Sequence, residues 1–160
     1  MLGRFSIPYL DEVRHTPHIC LAECLRSANR AITKRYSEYI LDLGISPAQA
    51  SLLMRLYYLR ETTMLELAKH METDRTTITR NVELLAREGL VAVIPGKDRR
   101  SKIVTLTEDG FKKLEAAVPK WRQAQDELHD VLGSQLWDSL LKETRVLTEL
   151  SGFAHDRLTR

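Results

Sequence analysis

The segment from Thr63 to Leu106 constrains this chain most, because its hydrophobic period changes there from helical to extended. Two helix-start signals lie close together. Thr63 and Glu66 have capping-box spacing in TMLELAKHM, and Asp74 stands as an N-cap ahead of RTTITRNVELLAR. The second start cuts the first helix short, with Leu65, Ala68 and Met71 expected on its apolar face. The second helix is expected over about Arg75 to Arg87, burying Ile78, Val82 and Leu85 and closing at Gly89. LVAVI and KIVTLT then read as strands on either side of PGKDRRS, a hairpin with a charged tip. Helix, tight turn, helix and basic hairpin is the order of a winged helix-turn-helix.

The flanks are helical. Residues 1–17 contain two prolines and little periodicity, and are expected to order only against a partner. From His18 to Leu43, Ile19, Ala22, Leu25, Ala28, Ile32, Tyr36, Tyr39 and Leu43 recur every three or four residues and form a stripe ending at Gly44. Ser46, Pro47 and Gln49 then supply an N-cap, a first-turn proline and a capping box. After the hairpin, Thr107 opens a long helix over about Glu108 to Leu132, in which Pro119 is expected to kink or bend the chain. Gly133 and Ser134 break it before a last helix from about Gln135 to Phe153. The expected fold is mainly α with a small β-hairpin wing.

Several function classes are excluded. No apolar run approaches the roughly 18 residues of a membrane-spanning helix. The N-terminus lacks the apolar core and cleavage site of a signal peptide, so a cytoplasmic location is expected. Two cysteines, Cys20 and Cys24, are too few for a disulfide scaffold. No Ser/His/Asp order, glycine-rich phosphate loop, His-Glu metal pair or paired carboxylates suggests an enzyme, and no cofactor is expected.

The whole-chain charge of +2 says nothing about nucleic acid. Its distribution says more: residues 69–102 carry 8 basic and 5 acidic side chains. A helix entering the major groove must present polar donors at its N-terminal end. Arg75, Thr76, Thr77, Thr79, Arg80 and Asn81 are the positions expected to be exposed there. Arginine can grip guanine through two hydrogen bonds; threonine offers a hydroxyl and a methyl group. Lys97, Arg99, Arg100 and Lys102 crowd the hairpin tip around Asp98, a charge density that a phosphate backbone would neutralise. The bland reading is a solvated capped helix beside an edge hairpin protected by its charges. A winged-helix module that binds only protein is the alternative, but it calls for a neutral wing and an apolar second helix.

The run LELAKHMETDRTTITRNVELLAREGLV through DRRSKIVTLTEDG resembles the multiple antibiotic resistance regulator (MarR) family. Two features carry the resemblance. One is a polar helix closing on Leu-x-x-x-Gly-Leu-Val; the other is Asp-x-Arg in the wing followed by Val-x-Leu-Thr-x-x-Gly. The resemblance implies a homodimeric regulator of transcription that binds double-stranded DNA. Residues 1–45 would hold the arm and first dimerisation helix, 46–106 the winged helix-turn-helix, and 107–160 the C-terminal dimerisation helices. Arg100 would enter the minor groove with Asp98 holding it, while Arg75, Thr76, Thr77, Thr79 and Arg80 read bases and phosphates. The chain departs from the family where many members carry an arginine after Gly-Leu-Val; it reads AVIPG, with Val93 and Ile94.

Regulators of this kind are released from DNA by a small-molecule effector or by cysteine oxidation. Cys20 and Cys24 lie four apart, on one face of the first helix, a placement similar to that of redox-sensing members. The alternative is that both are small buried hydrophobes. His15 and His18 with these cysteines match no tight zinc pattern, so no metal is expected. His70, His129 and His155 read as surface or boundary histidines. An effector pocket is expected between the dimerisation helices and the winged lobe, near Tyr36, Tyr57, Tyr58 and Trp121.

Overall fold

A computed structural model of the chain describes residues 20–96 and 101–157, with side chains to residue 149. Two compact units are present, residues 1–35 and 36–160. Helix α1 spans Leu21–Ile40 and runs into a 3₁₀ turn, Leu41–Leu43, that ends at Gly44 with φ 70°. There follow α2 (Pro47–Leu59), β1 (Glu61–Thr63), α3 (Met64–His70), α4 (Arg75–Arg87), β2 (Val91–Pro95), β3 (Lys102–Leu106) and α5 (Glu108–Arg157). The chain is mostly helical, as expected.

The caps form where the sequence places them. Ser46 Oγ accepts from Gln49 N at 3.2 Å while Gln49 Oε1 accepts from Ser46 N at 2.8 Å, with Pro47 in the first turn. Thr63 and Glu66 close a second box, at 3.2 and 3.0 Å. Asp74 Oδ1 accepts from Thr77 N at 2.8 Å and starts α4. Gly89, at φ 72°, follows its end.

These elements enclose one core. Leu52, Leu53 and Leu56 from α2 meet Leu67 and Ala68 of α3, Ile78, Val82 and Leu85 of α4, and Val104 of β3. The expected face of α4 is therefore the buried one. That of α3 is rotated: Leu65 is 54% exposed, and the inward stripe is Met64, Leu67, Ala68 and Met71. This set fits the helical i, i+3, i+4, i+7 spacing. Leu65 lies off it, a distinction that three apolar residues on a short helix do not make.

The hairpin is one part of a three-stranded antiparallel sheet in the order β1–β3–β2. Strand β1 has no signature in the sequence, since its three residues Glu-Thr-Thr carry no apolar alternation. Its register is set by pairing with β3, Glu61 opposite Thr105 and Thr63 opposite Ile103. Arg60, just before it, has φ 65° and ψ −67°, the left-handed γ-turn region that is rare and strained for a side-chain-bearing residue.

Helix α5 carries Pro119 without leaving helical geometry, so no break occurs there; the interruption is at Gly133, with φ 71° and ψ 154°. Those dihedrals belong to a region essentially restricted to glycine. The start of α5 explains the Val-x-Leu-Thr-x-x-Gly pattern as a joint. Val104 is fully buried. Thr107 Oγ1 donates to Gly89 O at 2.7 Å and accepts from Gly110 N at 3.0 Å, tying the end of α4 to the start of α5. A Cβ at Gly110 would overlap the Leu90 carbonyl oxygen and approach Leu106 Cδ1 to 2.9 Å, so only glycine permits this packing. Farther along α5, Lys113 Nζ donates to Leu43 O at 2.9 Å and Lys120 pairs with Asp42 at 3.0 Å, fixing the 3₁₀ turn against the helix.

Candidate nucleic-acid interface

Helix α4 divides its surface cleanly. Ile78, Val82 and Leu85 anchor one side in the core, so the opposite side of its N-terminal half must face outward. Arg75, Thr76, Thr77 and Arg80 are exposed; Thr79 and Asn81, expected to be exposed, are half-buried. Hydrogen bonds sort these residues further. Thr77 Oγ1 donates to Asp74 Oδ2 at 2.7 Å, Thr79 Oγ1 donates to Arg75 O at 2.8 Å, and Asn81 Nδ2 donates to Thr77 O at 3.1 Å. The hydroxyls of Thr77 and Thr79 thus spend their protons inside the helix, leaving lone pairs and methyl groups for a partner. Arg75, Thr76 and Arg80 are the exposed side chains best placed to donate outward. Lys97, Asp98, Arg99 and Arg100 of the hairpin tip lie outside the described residues. The hairpin's base is described: Gly96 N donates to Ser101 O at 2.9 Å, and Lys102 is exposed.

Two carboxylates tune the caps behind this surface. Hydrogen bonds from the Thr77 hydroxyl and amide hold Asp74 below the usual carboxylate range. The Thr63 amide and hydroxyl do the same for Glu66. A depressed folded-state pKa gives stability that is present above the unfolded pKa and lost as pH falls through the folded value. Stability is therefore expected to fall on acidification below about pH 4. Asp74→Asn with Glu66→Gln should flatten that dependence; urea midpoints at about pH 6 and about pH 3 check it, and equal slopes for both proteins would refute it.

A cleft of about 750 Å³ opens between α2 and α5 within the second unit. Tyr36, Tyr57, Tyr58 and Trp121, the four aromatics expected near a pocket, all line it. Met54, Phe111, Leu114, Arg55, Arg122 and Glu115, not foreseen from the sequence, also line it. Nothing in their spacing separates them from other helix-surface residues; only the packing of α2 on α5 brings them together. Tyr57 stacks with Phe111 at 6.0 Å and meets Tyr58 edge-on at 5.5 Å. Tyr36 donates its hydroxyl to Gln125 Oε1 at 2.7 Å, and burial pushes that hydroxyl's pKa up. Tyr39 donates to Glu127 on the same helix. The cleft is predominantly apolar with two guanidinium groups at its wall, a volume and chemistry suited to a small organic molecule.

Cys20 and Cys24 are free thiols, both exposed in the single chain. His15 and His18 lie outside the described residues, and among the described residues no cluster of three or more His, Cys, Asp or Glu could hold a metal. Of the histidines read as ordinary, His129 stacks edge-on with Trp137 at 5.5 Å and shares a 3.3 Å contact with Ser134 Oγ across the Gly133 break. No described helix is long and apolar enough to cross a membrane.

Residues 45–102 match the MarR family. The chain is similar to the Mycobacterium tuberculosis transcriptional regulator MosR, solved in complex with DNA: 32% identity, a TM-score of 0.78, and coverage of 85% of this chain and 98% of that one. It is 29% identical over 104 residues to the HTH-type transcriptional regulator YwoH of Bacillus subtilis, covering 65% of this chain and 76% of YwoH. It is 28% identical over 109 residues to the organic hydroperoxide resistance transcriptional regulator of the same organism, covering 68% and 73% of the two chains.

Proposed function

Because the chain belongs to the MarR family of transcription regulators, we propose that it is a sequence-specific repressor. It binds a pseudo-palindromic DNA operator as a homodimer and is released by a small molecule held in the α2–α5 cleft. The observation that carries this reading is the exposed Arg75, Thr76 and Arg80 on a helix whose other side is locked into the core. MosR, at 32% identity, was solved with DNA and supports the same partner here. Two α4 helices, one per protomer, would enter major grooves about one helical turn apart.

The division of labour follows the resemblance: residues 46–106 read DNA, while 1–45 and 107–160 carry the dimer contacts. Exposed apolar side chains on α1 (Leu21, Leu25, Ile32) and on the second half of α5 (Val131, Leu136, Leu140, Leu141, Val146) support the dimer. In the wing, Arg100 enters the minor groove with Asp98 steadying it, and Lys97 and Arg99 neutralise phosphates. Thr77 and Thr79 contribute methyl and lone-pair contacts beside the arginines. Oxidation of Cys20 or Cys24, free thiols at the start of the same helix as Leu21 and Leu25, is a second route to release.

The test is fluorescence anisotropy with duplex DNA from upstream of the protein's own gene against scrambled competitor. Saturable, salt-sensitive binding of one dimer per site is expected; equal weak binding to both duplexes would defeat the proposal. Replacing Arg75 or Arg80 with alanine should cost about 1–3 kcal/mol and relax preference at one operator position. Lys97→Ala should weaken all duplexes alike and lower the salt slope by about one. Arg100→Ala should weaken operator binding several-fold or more, with the dimer intact. Identical losses from Arg80→Ala and Lys97→Ala on every sequence would overturn this assignment of roles. Repeating the titration with peroxide on wild type and on Cys20→Ser/Cys24→Ser separates oxidation from ligand release.

A further inference from the structure

We propose that Arg60 is a positioning residue that relays occupancy of the cleft to the wing, through Tyr57 on one side and Thr105 on the other. The proposal rests on the ligand-release reading above and names the path by which the cleft acts. Arg60 joins the end of α2 to β1 with φ 65° and ψ −67°. A side-chain-bearing residue stays in that region only where its surroundings hold it. Three contacts do so. Its amide donates to Leu56 O at 2.8 Å, within the last turn of α2. Its guanidinium sits over the Tyr57 ring, 5.0 Å from the centroid. Its carbonyl accepts from Thr105 Oγ1 at 3.1 Å.

The last two contacts point to different functional parts. Tyr57 is a wall of the cleft, stacked on Phe111 of α5. Thr105 lies on β3, opposite Glu61 of β1 and Ala92 of β2, so it belongs to the strand that leads from the wing back to α5. One residue with a strained backbone is therefore held at once by the cleft wall and by the wing's central strand. A molecule that shifts the Tyr57 ring removes one of the three restraints. The Arg60 backbone then relaxes toward an ordinary region, its carbonyl turns from Thr105, and β3 loosens against β1. A ligand biases this equilibrium only by its differential contact with the two positions of Tyr57. The path is a physically contiguous one, made of a ring contact, a backbone torsion and a hydrogen bond.

The experiment uses the full chain and anilinonaphthalene sulfonate, an apolar fluorophore with one anionic group matching a cleft walled by Arg55 and Arg122. Dye fluorescence reports binding, and loss of that signal in Ser51→Trp, a substitution in the cleft wall, locates it. Amide hydrogen exchange of residues 102–106, with and without dye, reports the wing strand. In wild type the dye is expected to speed that exchange about five-fold. Arg60→Gly, which accepts the same backbone but removes the guanidinium, and Thr105→Val, which removes the hydroxyl, should bind dye within about two-fold of wild type and lose the response. Arg60→Lys, which keeps a cation over the ring, should restore part of it. An unchanged β3 response in Arg60→Gly and Thr105→Val, or none in wild type with dye bound, overturns the relay while leaving the cleft as the ligand site. Dye fluorescence indifferent to Ser51→Trp overturns the cleft reading itself, and the relay with it.

Discussion

Gly110→Ala is expected to destabilise the chain by about 3 kcal/mol, the upper end of the cost of overpacking a well-filled site. The added methyl would overlap the Leu90 carbonyl oxygen, and Leu106 Cδ1 is 2.9 Å away on the other side. Neither neighbour gives way cheaply. Leu90 O accepts from Thr107 N at 3.2 Å, and Leu90 itself is buried. Relief requires α5 to move off the end of α4, which also strains the Thr107 bonds to Gly89 and Leu90. For a chain of this size the loss corresponds to a fall in Tm of about 6–12 °C. Gly44→Ala is the control: its φ is 70°, but nothing lies within 4 Å of the added Cβ. It should cost only the left-handed backbone penalty, about 1 kcal/mol. Thermal unfolding followed by circular dichroism compares the two. A Gly110→Ala midpoint no lower than that of Gly44→Ala would mean that α5 does not pack on Leu90 as described.

Leu136→Glu with Leu140→Glu is expected to convert the protein to a monomer and weaken operator binding about 100-fold or more, the loss that follows when two linked half-sites become two independent ones. Both leucines are exposed, 48% and 42%, one helical turn apart on α5 after the Gly133 break. Charges there cost little in the single chain but desolvate badly in an apolar contact between two. The prediction separates association from folding. Sedimentation should report a monomer while the thermal midpoint of the winged lobe, whose core lies elsewhere, stays near that of the parent. A dimer of unchanged affinity for DNA would remove this stretch of α5 from the interface.

Much of the architecture was legible because it is local. Ser46, Thr63 and Asp74 cap helices through atoms three residues away, so the spacing itself carries the geometry. Gly44, Gly89 and Gly133 mark places where the backbone turns left-handed, and each is where a helix ends or breaks. The inward face of α4 was equally plain, since its stripe is long enough to select one rotation about the axis. On α3 the stripe was too short, and the choice between Leu65 and Leu67 fell to the packing. At Pro119 the helix continues with helical dihedrals, and the non-helical residue inside α5 is Gly133.

The outward face of α4 was legible only as a list of residue types. That Arg75, Thr76 and Arg80 face outward follows from the period of α4, whereas the intrahelical bonds of Thr77, Thr79 and Asn81 depend on rotamers that spacing does not specify. The strand β1, the strained torsion at Arg60 and the wall of the cleft are all consequences of pairing between distant segments. Glu-Thr-Thr is a strand because β3 offers it hydrogen bonds. Arg60 keeps φ 65° because Leu56, Tyr57 and Thr105 converge on it. Thus the amino-acid sequence by itself determined where helices start and stop and which face of α4 is wet, since those rest on contacts within a few residues. Tertiary structure alone decided the third strand, the cleft and the link from Tyr57 to the wing, because each exists only when side chains far apart in the chain are brought into contact.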